Sequence, residues 1–195
     1  MTCFTVDIDI FVPKIKSRIG FLFRNKASFT HAAKLTLVKL TILPILDFGD
    51  VYKIASKTLL SKLDAVYHSA IRFVTKASYT THHCDLYALI SWPSLHIHRQ
   101  THWLQVIYKS MLGKAPPYLS SLVTMATRTR SMRSSRCISR IIPKANTSFG
   151  HLSFQFSAAC DWNELQKSLK LETSISLTNF KHLLSEQLTD RCSCT

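Results

Sequence analysis

Glycine and acidic residues are both scarce in this 195-residue chain. Four glycines are present, where average usage of roughly 7% would supply about 14. They stand at positions 20, 49, 113 and 150, too far apart to build a GxGxxG turn or a Walker loop. The commonest nucleotide-binding folds are thereby excluded. Aspartate and glutamate number 11 against 25 Lys and Arg, for a net charge of +14. No acid occurs from Ile10 to Leu46, which carries seven Lys or Arg, nor from Leu86 to Cys160, which carries nine. Stretches with charge of one sign lack a local neutralising partner and attract polyanions at long range. The charge therefore points to nucleic acid ahead of an anionic membrane surface.

Long apolar runs are also missing. The most apolar window, Leu35 to Phe48, has 14 residues and contains Lys39, too short to span a bilayer. Asp7 and Asp9 interrupt the only early apolar run, so no secretory signal is expected. The six cysteines form no CxxC pair, and reduced thiols in the cytoplasm or nucleus are the expectation. No internal repeat is visible. Apolar residues at 46% and aromatics at 10% are ample for a core, which argues against wholesale disorder.

Periodicity predicts a mainly α protein. Between Phe11 and Lys26, Ile15, Ile19, Leu22 and Phe23 suit one apolar helical face, with Lys14, Lys16, Arg18 and Arg24 opposite. A second helical run covers Thr30 to Leu46, capped by Ser28 or Thr30 and broken near Pro44. Residues 47–50 read as a turn. Lys53 to Lys76 is the strongest helix, its wide stripe including Leu63, Val66, Tyr67, Ala70, Ile71 and Val74. Lys57, Asp64, His68 and Arg72 point the other way. Leu95 to Leu112 reads as a helix capped by Ser94 and stopped by Gly113 and Pro116-Pro117, with a short turn over Tyr118 to Met125. Residues 126–146 place Arg128, Arg130, Arg133, Arg136, Arg140 and Lys144 among Ser and Thr, suggesting an exposed basic arm. Leu152, Phe154 and Phe156 alternate with polar residues as a short strand would. Helices are expected over Cys160 to Leu171 and Leu177 to Leu188.

The chemistry of catalysis finds little footing. Two-metal polymerase or nuclease chemistry needs converging carboxylates, whereas only Asp7/Asp9, Asp47/Asp50 and Asp161/Glu164 are close pairs. Each has a plain alternative as a turn, cap or first-turn residue. His98 and His102 share a helical face, and a zinc site there would need Cys84 or His82 as further ligands. The glutamate of a zinc-protease motif is absent, so uncharged or RNA-facing histidines are the simpler reading. No GxSxG or Cys-His family context is present. The expectation is a non-enzyme with no metal, no cofactor and no small-molecule substrate. Trp92, Trp103 and Trp162 can stack on bases, but their apolar neighbours favour core positions. Arginine's planar fork and permanent charge suit phosphate. Lys14, Lys16, Arg18, Arg24 and Lys26, with Arg128, Arg130, Arg133, Arg136 and Arg140, are therefore the candidate nucleic-acid-binding residues. The bland reading is a solvated helix face and a solvated linker.

Several segments, read in order, carry a more specific signal. They are Lys16-Ser-Arg-Ile-Gly-Phe-Leu-Phe-Arg-Asn-Lys26, Leu43-Pro-Ile-Leu-Asp-Phe-Gly-Asp50 and Leu63-Asp-Ala-Val-Tyr-His-Ser-Ala-Ile-Arg72. Trp92-Pro-Ser-Leu95, Pro116-Pro-Tyr-Leu119, and Asp161-Trp-Asn-Glu-Leu165 ahead of Phe180-Lys181 follow. Together they resemble the downstream part of the reverse transcriptase (RNA-directed DNA polymerase) polyprotein of fish-type non-LTR retrotransposons, the long interspersed elements. The resemblance covers nearly the whole chain and rests on order and spacing. It implies that residues 1–78 form a thumb-like three-helix region, of the kind that grips a template–primer duplex. A helical connector over 79–125, the basic arm over 126–146 and a C-terminal helical region with a short strand over 147–195 would follow. The family's catalytic aspartates belong upstream and match no position in this sequence, and its endonuclease module is missing. Reverse transcriptase ancestry without catalytic competence is what the resemblance implies, with RNA or an RNA–DNA hybrid bound through its backbone as partner. A degenerate relic with no selected function, only partly folded, is the alternative. The segment after Asp50 is one residue shorter than the family's Gly-Asp-Val-x-Tyr pattern. Cys137 and Cys160 stand where a bulkier or amide residue is usual. Both departures look like drift.

Overall fold

A computed structural model describes residues 5–48, 57–123 and 138–188. The protein is mainly α-helical, and no β-strand occurs among the described residues. Its helices are α1 (Thr5–Arg24), α2 (His31–Thr41), α3 (Leu43–Phe48), α4 (Lys57–Thr75), α5 (His83–Ile90), α6 (Leu95–Met111), α7 (Pro117–Leu122), α8 (Ser148–His151), α9 (Phe154–Leu169) and α10 (Leu177–Gln187). They divide into two compact units, with the division at Arg99/Gln100 inside α6.

The first unit is built on amphipathic stripes. α1 buries Val12, Ile15, Ile19 and Leu22, which recur at spacings of three and four and so line one helical face. α2 contributes Val38, and the turn after it Ile42. α4 inserts Leu63, Val66, Tyr67, Ala70, Ile71, Phe73 and Val74, and Leu86 and Leu95 close the same core. Fully burying a side chain such as Ile71 stabilises the fold by about 1.5–3 kcal/mol. Thr30 caps α2 by accepting from the Ala33 N–H at 3.3 Å, satisfying one donor that a helix start leaves orphaned. Pro44 lies inside α3, so the second run is split at Thr41 and the expected turn at Asp47–Phe48 is instead helical. Its other half, Gly49 and Asp50, lies outside the described residues, as does the shortened segment that follows.

The polar face of α4 meets solvent only in part. Asp64, His68 and Arg72 are each half-buried. Asp64 pairs with Arg99 at 3.3 Å. Arg72 donates to the carbonyls of Ser78 (3.3 Å) and Thr81 (3.2 Å) and lies over the Tyr79 ring. The Tyr67 hydroxyl donates to the Pro93 carbonyl at 2.9 Å, and its ring stacks on Trp92.

The second unit is organised by aromatic side chains. Tyr108, Trp162 and Phe180 are fully buried; the Tyr108 ring stacks on both others, its centroid 4.0 Å from that of Phe180, and the Trp162 and Phe180 rings are tilted against each other. Their polar atoms reach the connecting segments. The Trp162 indole N–H donates to the Ile138 carbonyl at 2.6 Å. The Tyr108 hydroxyl donates to the Ile175 carbonyl at 2.6 Å and accepts from the Ile175 N–H at 2.8 Å. Gly113 takes φ +66° just beyond α6, a left-handed turn that glycine makes without strain.

The expected strand at Leu152–Phe156 is replaced by a helix start. Ser153 accepts from the Phe156 N–H at 3.3 Å and caps α9. A three-residue alternation cannot outweigh a capping serine followed by Ala158, Ala159 and Trp162, all buried on one helical face. α10 matches its expected stripe, with Phe180 and Leu184 buried and Leu177 and Leu188 packed against the same core.

A candidate nucleic-acid interface on the first helix

All five amino-terminal candidate residues are on the surface. Lys14, Lys16, Arg18 and Arg24 are exposed on α1, and Lys26 is exposed on the 3₁₀ turn that follows it. They do not share a single line. Arg18 stands one turn beyond Lys14, whereas Lys16 is roughly 200° around the helix from Lys14 by the helical period. Phe21, 57% exposed, lies on the Lys14–Arg18 strip. Phe23, expected within the apolar face, is 37% exposed and makes an edge contact with Phe73, while Val12 is buried in the core.

Arg18 has a structural partner as well. Its guanidinium donates to the Thr41 carbonyl at 2.9 Å, meeting the carbonyl-rich end of α2, where a cation is favoured. A conservative charge-removing change at Arg18 therefore also removes a helix C-terminal contact. Lys14, Lys16 and Arg24 are the cleaner probes.

The second candidate group separates. Arg128, Arg130, Arg133 and Arg136 lie outside the described residues. Arg140, expected on an exposed arm, is 5% exposed and belongs to the interior of the second unit. Its backbone exchanges two hydrogen bonds with the Asn163 side-chain amide, at 2.8 and 3.0 Å. Its guanidinium donates to the Val123 carbonyl at 3.3 Å, and its Nε atom is buried with no hydrogen-bond partner. Burial pushes the guanidinium pKa below its ordinary value. The reason lies in Asn163, which mimics a neighbouring strand and draws residues 138–140 onto α9. Arg140 is thus withdrawn from the candidate interface, while Lys144 remains exposed.

Lys34, one of the seven cations in the acid-free stretch from Ile10 to Leu46, is buried as well. It is 2% exposed, with its ammonium 5.4 Å from the Phe73 ring centroid, a placement in which the ring face offsets part of the cost of burying charge. The helical period does hold a signal for it, since Lys34 stands one turn before buried Val38.

The carboxylates have partners of their own. Asp47 accepts from the His98 imidazole at 2.6 Å, Asp161 accepts from the Trp103 indole N–H at 2.7 Å, and Glu164 pairs with Lys167 on α9. The three tryptophans serve packing: Trp162 is buried, and Trp92 and Trp103 are half-buried against their cores. The ligand atoms of His82 and Cys84 gather with His83, whereas the His98 imidazole meets Asp47. Cys160 is free and half-buried. No helix among the described residues is long and apolar enough to cross a membrane.

Comparison with family models, with curated proteins and with solved structures returns no match.

Proposed function

We propose that this chain is a non-catalytic, reverse-transcriptase-derived module that binds the phosphate backbone of RNA or an RNA–DNA hybrid without base specificity. The observation that carries this reading is α1 itself. One face holds Val12, Ile15, Ile19 and Leu22 in the core, and Lys14, Lys16, Arg18 and Arg24 are exposed, within a stretch that has no acidic residue from Ile10 to Leu46. Such a surface gains affinity by releasing counterions from nucleic acid. The arginines at 128, 130, 133 and 136 extend the same chemistry. Resemblance to the downstream region of non-LTR reverse transcriptases supplies the partner class.

The test is fluorescence anisotropy of the purified chain with a short RNA–DNA hybrid across a salt series. Binding is expected to weaken on a log–log slope of about 0.7–0.9 per phosphate contacted. The triple change Lys14→Gln, Lys16→Gln, Arg24→Gln is expected to reduce that slope. An unchanged slope and affinity would remove α1 from the interface. Absence of saturable binding at low salt would favour the degenerate relic.

A further inference from the structure

The solvent face of α1 carries an aromatic ring among its cations. Phe21 is 57% exposed, and Ser17, Arg18 and Arg24, each about one helical turn from it, are exposed too. Residues three apart in a helix are separated by about 4.5 Å along the axis and about 60° around it. Arg18 therefore stands one turn before the ring and Arg24 one turn after it, with Lys14 a further turn before Arg18. The core has no use for this ring, since α1 is held to its unit by Val12, Ile15, Ile19 and Leu22.

Other exposed aromatic rings of the first unit are already engaged. Tyr79 is 87% exposed, yet the Arg72 guanidinium lies over its ring at 5.3 Å from the centroid. Phe23 meets Phe73 edge-on, with centroids 5.4 Å apart. Phe21 has neither kind of partner among the described residues. Arg18, one turn before it, instead directs its guanidinium to the Thr41 carbonyl at 2.9 Å. A helical side chain leans over the turn that precedes it, and there Ser17 is too small to screen the ring. Around it the charge has one sign, with no acid from Ile10 to Leu46.

We propose that Phe21 is a stacking platform for one unpaired base of a single-stranded nucleic acid, with Arg18 and Arg24 on the phosphates to either side of that base. This assignment rests on the phosphate-binding reading of α1 and adds the form of strand that the helix selects. Every nucleotide inside a strand has one phosphate on its 5′ side and another on its 3′ side, which matches the order cation, ring, cation along α1. The Arg18 guanidinium has five N–H donors, and the Thr41 carbonyl takes one of them. Bases inside a duplex have both faces covered by their neighbours, so only unpaired ones can meet the ring. Stacking is indifferent to base identity, because every base has a π-face. α1 thereby selects single strands over paired ones without reading their sequence.

Fluorescence anisotropy at fixed salt tests the platform with three probes on the purified chain. They are a short single-stranded RNA, a blunt RNA–DNA hybrid of the same length, and an abasic single strand with the same phosphates. The RNA strand is expected to bind most tightly, and the abasic strand about 5- to 150-fold more weakly, the range for one stacked base. Phe21→Ala should weaken binding of the RNA strand by the same factor and no longer distinguish it from the abasic one. Its salt slope, its hybrid affinity and its helix content by circular dichroism should stay unchanged, because the ring touches no phosphate and no core residue. Phe21→Trp should retain the preference, whereas Phe21→Leu should lose it, which separates a π-face from apolar area. Equal affinity for all three probes, or a Phe21→Ala loss shared by the hybrid, would overturn the stacking role and leave the phosphate-binding reading standing. No saturable binding of any probe would overturn both.

Discussion

The two cores of this chain are built from different side chains and closed by different means. In the first unit the fully buried residues are mostly aliphatic, with Ile15, Ile42, Ile71, Leu86 and Leu95 meeting along helical stripes. In the second, Tyr108, Trp162 and Phe180 form an aromatic set, and two of them bind backbone atoms of connecting segments through their polar tips. Tyr67 does the same once in the first unit, at Pro93. Aliphatic burial is non-directional and tolerates adjustment. An aromatic with a hydrogen-bonding tip also dictates where a loop must run. The contrast shows how similar helical content is reached by two balances of packing and hydrogen bonding.

Cutting out the centre of each core is the strongest way to test that difference. Trp162→Ala is expected to cost about 3–5 kcal/mol, and Ile71→Ala about 2–5 kcal/mol, in denaturant melts. Hydrogen exchange read peptide by peptide should show the first change deprotecting α9, α10 and the Ile138 segment, and the second deprotecting α1, α2 and α4. Loss of protection spread equally over both units in either variant would contradict the separation of the cores.

A smaller change isolates the polar tip from the ring. Tyr108→Phe keeps the stack but strands the Ile175 N–H and carbonyl, at an expected cost of about 1–3 kcal/mol. Exchange at Ile175 should accelerate before the α10 amides do. A melt unchanged from that of the native chain would show that water replaces the hydroxyl and that stacking alone sets this core.

The mildest effect distinguishes the first unit by pH. Burial holds the His68 pKa below its ordinary value against the opposing pull of Asp64, with smaller lowering contributions from Arg72 and His83. The folded state therefore binds fewer protons than the unfolded state as pH falls past the unfolded value of about 6.5. This contribution to stability is fully present above that pH and is lost as pH drops towards the lower folded value. Melting temperature should decline over that interval, and His68→Gln should flatten the decline. An identical profile in the variant would assign the pH sensitivity to other groups.

Much of the helical layout was legible from residue order. The stripe of α4 from Leu63 to Val74, the caps at Thr30 and Ser94 and the stop at Gly113 are local signals, and each coincides with its element. The strand expected at Leu152–Phe156 failed because Ser153 serves as a cap, a role that depends on the helix after it. On the candidate interface, the exposure of Lys14, Lys16 and Arg24 followed from helical period. The burial of Arg140 did not, because Asn163 is 23 residues away in sequence. The convergence of His82, His83 and Cys84 was visible only as adjacency, since which ligand atoms meet depends on side-chain rotamers.

Sequence by itself determined the helical class, the excess of cations and several helix boundaries, among them those at Thr30, Ser94 and Gly113. Each depends on side chains within a few residues of one another. Tertiary structure decided how completely two of those cations leave the water. Lys34 and Arg140 carry the same charge as Lys14 and Lys16, but Phe73 and Asn163 draw the first pair inward. The physical reason is that solvation is a property of everything packed around a group, and chain order records only its nearest covalent neighbours.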